Sequence, residues 1–353
     1  MSPYDEIILG QGLAGTTLAW SLRQRGRHVL VIDRAVEGTS SRIAAGLMTP
    51  ITGQRLVQSW RWDLFWKTAV DFYQQIEQLT GTRFFEPRRL VRLLASETEQ
   101  QFLSRRLTSG FANLITVPDP LVNPEWFGAP LGGFEMLAGG RLQVATFLDA
   151  SRQQFEAAGQ FIADDLVLER DIELTPGGVR LPALDVQASR LVFCQGYAPD
   201  NPWFSHVRFN PAKGEILTLR IPDLAEQRIV HRGIWLMPLG NDLFRAGATY
   251  EWNELNSVPT TRGRDEICSR LREFLRLPVE VIEQSAAVRP ILHHQYPAMG
   301  LHPKFPQLGI FNGLGSKGSL QAPWLADHFA SYLTGERDLD PDVDLHHYDR
   351  LLL

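Results

Sequence analysis

The sequence has few cysteines, no long apolar run and no excess of charge of one sign. Its two cysteines, Cys194 and Cys268, are too few for a disulfide framework or a cysteine zinc site. No stretch approaches the roughly 18–20 consecutive apolar residues that cross a membrane. The 35 basic and 40 acidic residues give a net charge of −5, which does not favour nucleic acid as a partner.

Length and composition are those of a large globular protein. The 353 residues exceed the roughly 100–200 residues of one ordinary domain, which favours two or three domains. The apolar fraction of 44% and the charged fraction of 21% exclude a disordered or fibrous chain. Residues 1–6 lack the basic, apolar and small-residue zones of a secretory signal. We therefore expect a reduced, cytoplasmic protein without a membrane span.

The first 33 residues have the pattern of a strand, a glycine turn, a helix and a second strand. Residues 7–9 are apolar, and residues 28–32 form a second run rich in β-forming residues. Between them Ala14, Leu18 and Leu22 recur at a spacing of four, as on one face of a helix. This order is typical of a nucleotide-binding βαβ unit.

The turn itself has the spacing of the dinucleotide fingerprint. In that motif Gly10 allows the tight turn, Gly12 lets the backbone approach a pyrophosphate, and Gly15 lets helix and strand pack closely. Asp33, eighteen residues after Gly15, can accept hydrogen bonds from ribose hydroxyls and disfavours the 2′-phosphate of NADP. The adjacent Arg34 has the opposite effect on a 2′-phosphate. The fingerprint predicts bound FAD or NAD.

A second glycine-rich turn favours FAD over NAD. Residues 308–312 form a predicted strand, and residues 313–318 (Gly-Leu-Gly-Ser-Lys-Gly) precede a predicted helix. The start of that helix and Lys317 would carry positive charge beside a second electron-accepting part of the ligand. The isoalloxazine ring of FAD is such a part, because its N1–C2=O region becomes negative on reduction. A plain NAD dehydrogenase does not explain this turn.

Further elements are predicted along the chain from periodicity and turn residues. Helices are predicted over residues 59–78, 142–158 and 264–276, strands over 166–168, 191–196, 216–219, 234–237 and 243–250, and a loop over 119–130.

Four segments resemble the family of FAD-dependent D-amino-acid, glycine and sarcosine oxidases. They are the fingerprint with Asp33, residues 40–47 (Ser-Ser-Arg-Ile-Ala-Ala-Gly-Leu), residues 288–290 (Val-Arg-Pro), and the turn at 313–318. Within the family this last turn is similar to that of the oxidase half of bacterial bifunctional enzymes that modify tRNA wobble uridines. His294 departs from the pattern, since the family usually has aspartate there.

The resemblance implies an α+β flavoprotein with discontinuous domains. A Rossmann-like FAD-binding domain would comprise residues 1–85, 140–205 and 285–345. A substrate domain built on an antiparallel sheet would comprise residues 86–139 and 206–284.

The resemblance also implies FAD as the cofactor, with residues 40–47 along the pyrophosphate and under the flavin. The predicted FAD contacts are Gly10, Gly12, Leu13, Ala14, Gly15, Asp33, Arg34, Ser40, Ser41, Arg42, Ala45, Gly46, Leu47, Leu166, Val167, Gly196, Gly313, Leu314, Gly315, Ser316, Lys317 and Gly318. Relatives that bind flavin covalently carry a cysteine where this chain has Pro290, so we expect non-covalent binding.

The implied reaction is oxidation of the C–N bond of an amino acid or secondary amine. A hydride passes to flavin N5, and dioxygen or another acceptor reoxidises the flavin. Two residues are predicted to act on the substrate: Arg289 would hold its carboxylate, and Tyr250 would supply a pocket hydroxyl. The structural alternatives are an ion pair near the flavin for Arg289 and ordinary strand packing for Tyr250.

Other functions remain open from the sequence. The substrate could be a larger amine such as a modified nucleoside, or the acceptor could differ from oxygen. A flavin-binding protein without turnover and an NAD dehydrogenase are further alternatives. Arg88, Arg89, Arg92, Arg105 and Arg106 could form an RNA surface, although a solvated helix face or loop is the favoured interpretation. No metal site is predicted, because the adjacent His293 and His294 would point to opposite faces of a strand.

Overall fold

The computed structural model describes residues 4–108 and 110–346, so the first three residues of the segment predicted to lack a signal lie outside it. The described residues form the helices α1 Leu13–Gln24, α2 Ser40–Ile43, α3 Trp62–Thr80, α4 Glu97–Leu107, α5 Val144–Ala157, α6 Leu168–Asp171, α7 Thr261–Arg272 and α8 Gly318–Leu333. None of these helices is long and apolar enough to cross a membrane.

The strands of the described residues fall into two large sheets, a three-stranded sheet and a two-stranded pair. In chain order they are β1 Tyr4–Leu9, β2 Val29–Asp33, β3 Leu47–Met48, β4 Ile51–Thr52, β5 Val57–Gln58, β6 Phe85–Pro87, β7 Leu90–Leu93, β8 Ile115–Thr116, β9 Gly133–Met136, β10 Gly140–Leu142, β11 Phe161–Ala163, β12 Glu173–Thr175, β13 Gly178–Leu181, β14 Val186–Phe193, β15 Ala212–Arg220, β16 Ile229–Arg232, β17 Ile234–Gly240, β18 Leu243–Gly247, β19 Glu280–Arg289, β20 Ala298–Leu301 and β21 Leu308–Asn312.

The first sheet is parallel at its centre. β11, β2, β1 and β14 pair in parallel in that order, and β21 adds a further parallel strand beside the end of β14. Apolar residues cover both faces, since Ile8 packs in a core with α1 and α8 while Ile7 and Leu9 pack in a second core. This double burial explains why the strand reads as an uninterrupted apolar run.

The second sheet has the order β19-β15-β18-β17-β16-β7-β9-β8. Its pairs are antiparallel except for β16 and β7, which pair in parallel. Helix α7 packs on one face, where Ile267 and Leu271 join Leu217 and Leu219 in a buried cluster. The predicted boundary at residue 285 falls inside β19, and the division into domains stays a prediction.

The prediction of a strand at residues 166–168 is wrong. Residues Phe161–Ala163 form β11 instead, and Leu168 begins the helical turn α6. The Asp171 carboxylate accepts a hydrogen bond from the Val167 backbone N–H at 2.7 Å, and the Asp171 N–H donates to the Val167 carbonyl oxygen. These local bonds occupy the backbone groups that a strand would have used.

Candidate active site

A cavity of about 960 Å³ is lined by residues of both large sheets. Leu9, Asp33 and Asn312 contribute from the carboxyl ends of parallel strands in the first sheet. Ile216 and Trp235 contribute from the second sheet. Ligands of α/β proteins bind outside the carboxyl ends of parallel strands, so the cavity lies where a dinucleotide site is expected.

Helix α1 begins at this cavity. Gly10, Gly12, Leu13 and Ala14 all line it. The helix has no acidic residue in its first turn and no side-chain cap from Gly12. Its N-terminal N–H groups and the positive end of its dipole therefore favour an anionic ligand such as a pyrophosphate.

Two of the fingerprint glycines, Gly10 and Gly15, allow close packing of the backbone. A Cβ on Gly15 would overlap the carbonyl oxygen of Gly10, and a Cβ on Gly10 would overlap the carbonyl oxygen of Cys194. The absence of these side chains lets α1, β1 and β14 approach one another. Gly12 differs, because its nearest atom in the structure is the flexible Oγ of Ser41, at 3.0 Å from an ideal Cβ.

Asp33 lies at the end of β2 with acceptor sites to spare. One carboxylate oxygen accepts the Gln11 N–H at 2.7 Å, and the other accepts the Ala35 N–H at 2.7 Å. The Arg152 guanidinium lies 3.7 Å away. A carboxylate offers about four acceptor positions, so hydroxyl groups of a ribose can still bind. Arg34 also lines the cavity, with Asp165 at 3.9 Å.

Residues 40–47 connect the two sheets across the cavity. Ser41 Oγ accepts the first N–H of α1 at 3.1 Å. From the second sheet, Arg245 donates a hydrogen bond to the Ile43 carbonyl oxygen at 2.7 Å. Arg42 instead forms an ion pair with Asp149 at 2.5 Å and does not line the cavity.

Helix α8 also begins at the cavity, beside the start of α1. Residues 314–318 line it, and the first turn of α8 contains no acidic residue. Burial lowers the pKa of Lys317 to about 8. Within residues 4–108 and 110–346, no ion pair includes Lys317. Two helix N-termini, an amine and a strand-end carboxylate form a donor and acceptor set that suits FAD.

Arg289 lies at the end of β19 and lines the same cavity. It donates a hydrogen bond from Nη1 to the Thr249 carbonyl oxygen at 3.1 Å, and its Cζ lies 4.3 Å from the centre of the Tyr250 ring. No carboxylate of the described residues pairs with it. Burial lowers the pKa of the guanidinium, which still remains charged at neutral pH.

Tyr250 lies beyond the end of the strand on which it was predicted. Strand β18 ends at Gly247, and the Tyr250 side chain is 47% exposed and stacks on Trp252. Its ring faces Arg289.

Four predicted contacts do not line the cavity. Gly15 and Gly313 have packing roles, since a Cβ on Gly313 would overlap the Leu292 side chain. Arg42 is paired elsewhere, and Val167 is 52% exposed. The other predicted residues line the cavity, and their contact with FAD stays a prediction.

The structure has a buried charged cluster at the cavity that the sequence did not predict. Arg92 is only 5% exposed, which corrects both its interpretation as a solvated residue and as an RNA contact. Its guanidinium lies 2.7 Å from Glu99 Oε1 and 2.7 Å from His231 Nδ1. All three residues line the cavity. An arginine within an apolar strand, Leu90–Leu93, was the available signal.

The cluster determines the protonation of His231. Because arginine only donates, Nδ1 must accept, and the neutral ring carries its proton on Nε2. Burial, with the charges of Arg92 and Lys317, holds the pKa of His231 well below its usual value. His231 is therefore a neutral side chain at the cavity wall at physiological pH.

The family comparison agrees with this geometry. The model of the FAD dependent oxidoreductase family matches residues 5–332. The chain belongs to this family. The match confirms the predicted resemblance, FAD in preference to NAD as the cofactor, and an enzymatic function.

Individual relatives are distant but match along the chain. The tRNA 5-methylaminomethyl-2-thiouridine biosynthesis bifunctional protein of Marinobacter nauticus is 26% identical over 92% of this chain, which spans about half (54%) of that protein. Glycine oxidase of Bacillus licheniformis is 23% identical, with 94% of this chain and 93% of that protein covered.

Among solved structures, glycine oxidase from Geobacillus kaustophilus is similar with a TM-score of 0.81. It is 20% identical, and the match covers 97% of this chain and 98% of that one. Together with the family match, this likeness confirms the predicted α+β flavoprotein fold.

Proposed function

We propose that this FAD-dependent oxidoreductase oxidises the C–N bond of an amino acid or of a secondary amine that carries a carboxylate. The supporting observation is Arg289, a guanidinium at the cavity with no carboxylate partner among the described residues. A planar guanidinium suits a bidentate pair with a substrate carboxylate. Relatives named glycine oxidase and iminodiacetate oxidase act on substrates of this class.

In this proposal the two helix starts bind the cofactor. The backbone at Gly12 and the N-terminus of α1 would hold the pyrophosphate, and Asp33 would accept hydrogen bonds from ribose. The start of α8 and Lys317 would supply positive charge to the reduced isoalloxazine. FAD, when bound, accepts the hydride from the carbon that carries the amine.

The substrate-side residues act by positioning. Arg289 binds the carboxylate and so orients the neighbouring carbon and amine. Apolar side chains such as Ile216 and Trp235 line the cavity and exclude water from the reacting atoms. Positioning of this kind supplies a large part of the barrier reduction when two reactants are held together. No protein base is required, because the neutral amine itself assists loss of hydride.

An anaerobic titration tests this function. The yellow protein is mixed with a panel of amino acids, N-substituted glycines and plain amines while flavin absorbance near 450 nm is followed. Bleaching by a carboxylate-bearing amine supports the proposal, and recovery of the absorbance in air identifies dioxygen as an acceptor. If none of these compounds bleaches the flavin, the proposed substrate class is wrong.

A modified nucleoside is a second candidate substrate. The observation that favours it is the likeness to the Marinobacter nauticus tRNA biosynthesis protein. An aminomethyl-substituted uridine therefore belongs in the same panel. Bleaching by this compound but by no free amino acid would favour the second candidate.

We expect FAD to be released by acid or heat. Pro290 occupies the position at which relatives that bind flavin covalently carry a cysteine. Burial raises the pKa of the Cys194 thiol at the cavity, so it stays protonated and unreactive. Cys268 packs in the core of the second sheet. After acid precipitation the supernatant should contain all of the flavin, and a yellow pellet would contradict non-covalent binding.

Lys317→Met should lower the midpoint potential of the bound FAD. The reduced ring is negative, and the partly buried charge of Lys317 stabilises it. Loss of about 2 kcal/mol of this interaction free energy corresponds to a shift of about 45 mV in a two-electron potential. The pKa of Lys317 is lowered to about 8, so its charge is present below that pH and lost above it. The difference between wild type and variant should therefore shrink as pH rises through 8.

A dye-linked redox titration at several pH values measures this difference. Lys67→Met serves as the control, because Lys67 is an exposed residue of α3. Equal potentials for wild type and Lys317→Met at pH 7 would show that Lys317 does not act on the ring.

A further inference from the structure

Gly214 lies against the guanidinium of Arg289. It is the third residue of β15, which pairs with β19 so that Gly214 is opposite Ala287. An ideal Cβ on Gly214 would overlap Cζ, Nη1 and Nη2 of Arg289, and these three atoms are its nearest neighbours. The backbone of Gly214 is outside the left-handed region, so alanine could adopt it without strain. The missing side chain therefore has one evident purpose, which is to make room for the guanidinium.

Two further contacts restrict the same group. The Tyr250 ring lies over the guanidinium, with 4.3 Å between the ring centre and Cζ, and Trp252 stacks on Tyr250 at 5.9 Å. The Thr249 carbonyl oxygen accepts one Nη1 proton at 3.1 Å. The Tyr250 ring restricts the plane of the guanidinium, and the Thr249 carbonyl restricts one of its edges. The remaining donors lie in that plane and are available to a ligand.

A bidentate pair depends on this orientation. Its two parallel N–H···O bonds form only when the guanidinium and carboxylate planes coincide. A methyl group at position 214 would displace the guanidinium by more than the tolerance of such a pair. Small misplacements of a positioning group lower turnover strongly, because the substrate carbon moves with its carboxylate.

We propose that Gly214 and the ring of Tyr250 are positioning residues that orient Arg289 for a planar carboxylate. Tyr250 then acts through its ring rather than its hydroxyl, which changes the role predicted for it. The proposal rests on the proposed function, because it assumes that Arg289 binds the carboxylate of the substrate. It adds that selectivity for carboxylate-bearing amines depends on a residue that cannot itself touch the substrate with a side chain.

Gly214→Ala in the FAD-loaded enzyme tests the role of the glycine. We expect kcat/KM for a carboxylate-bearing amine to fall by about a hundredfold, because the added methyl group displaces the guanidinium and a positioning group misplaced by about 1 Å lowers turnover on this scale. The dissociation constant of acetate, followed by the perturbation of the flavin spectrum, should rise with it. A plain amine should lose far less, and FAD content should not change. Gly128→Ala is the matched control, because its nearest atom is Nε of Arg276 at 3.9 Å.

A double-mutant cycle separates positioning from a general packing effect. In an Arg289→Met background, Gly214→Ala should have little further effect, since the displaced group is no longer present. Equal and additive losses in both backgrounds, or equal losses for the plain amine, would overturn the proposal.

Two variants of Tyr250 keep the proposal testable if Gly214→Ala does not fold. Loss of the contact between the cation and the ring should make Tyr250→Leu lose about tenfold more in acetate affinity than Tyr250→Phe, which retains the ring. Equal losses for both variants would assign the effect to the hydroxyl and overturn the role of the ring. Acetate binding does not depend on turnover, so a wild-type enzyme that binds acetate but oxidises no amine would contradict only the proposed function.

Discussion

Replacing Arg289 with methionine should lower kcat/KM for a carboxylate-bearing amine by about a hundredfold to a few thousandfold. The substrate carboxylate would then lie in the cavity without its charged partner. Loss of one partner from a buried ion pair costs on the order of 3–5 kcal/mol, and about 1.4 kcal/mol corresponds to tenfold. Steady-state kinetics with an amino acid and with a plain amine measure the two losses.

The ratio of these two losses is the informative quantity. A plain amine lacks the carboxylate and should lose much less. Arg289→Lys should restore only part of the activity, because an ammonium group cannot form the two parallel bonds of a guanidinium. FAD content should be nearly unchanged, and Arg83→Met, at a side chain that is 91% exposed, should behave as wild type. Equal losses for both substrates would mean that Arg289 supports the flavin or the fold.

Replacing Gly12 with valine should abolish retention of FAD while the chain still folds. In the structure the nearest atom to a Cβ at position 12 is Ser41 Oγ, at 3.0 Å, and that side chain can move. A β-branched side chain would project where the pyrophosphate must approach the backbone. We expect FAD affinity to fall by about a hundredfold or more, for a steric cost of about 3 kcal/mol. The flavin-to-protein absorbance ratio after gel filtration measures retention.

A contrasting variant separates loss of cofactor from loss of fold. Gly15→Ala places a Cβ against the backbone carbonyl of Gly10, which cannot move without displacing β1. This variant should have a lower Tm, whereas Gly12→Val without FAD should melt like the wild-type apoprotein. Gly38→Ala, where no atom lies within 4 Å of the added Cβ, is the control for a glycine substitution in this segment. A fully yellow Gly12→Val protein would show that this turn is not the cofactor site.

Structural features that depend on consecutive residues were predictable from the sequence. The strand, turn and helix of residues 4–24 follow from an apolar run, three spaced glycines and a helical repeat. These elements are recognisable from neighbours in the chain, because glycine conformation and the helical repeat act over a few residues. The second turn at 313–318 was recognisable for the same reason.

The predictions for residues 166–168 and for Arg92 were wrong because each local pattern is compatible with more than one structure. The apolar residues 166–168 resemble a strand, but the Asp171 carboxylate closes a helical turn around them. Arg92 belongs to a basic stretch whose composition is typical of a solvated surface. The pairing of β7 with β16 buries it beside His231, where Glu99 compensates its charge.

The βαβ unit is thus decided by a local pattern, and the choice of FAD by two such patterns, the fingerprint and the turn at 313–318, each of which lies within one short segment. The environment of Arg289 is decided by the second sheet. Gly214, Tyr250 and Arg289 are separated by 36 and 39 residues in the chain, and they meet because β15 pairs with both β18 and β19. Nothing in the spacing of a lone glycine shows which side chain will lie against it. Strand pairing between distant segments supplies that neighbour, because the register places Gly214 opposite Ala287 and brings the side chain of Arg289, two residues further along β19, against it.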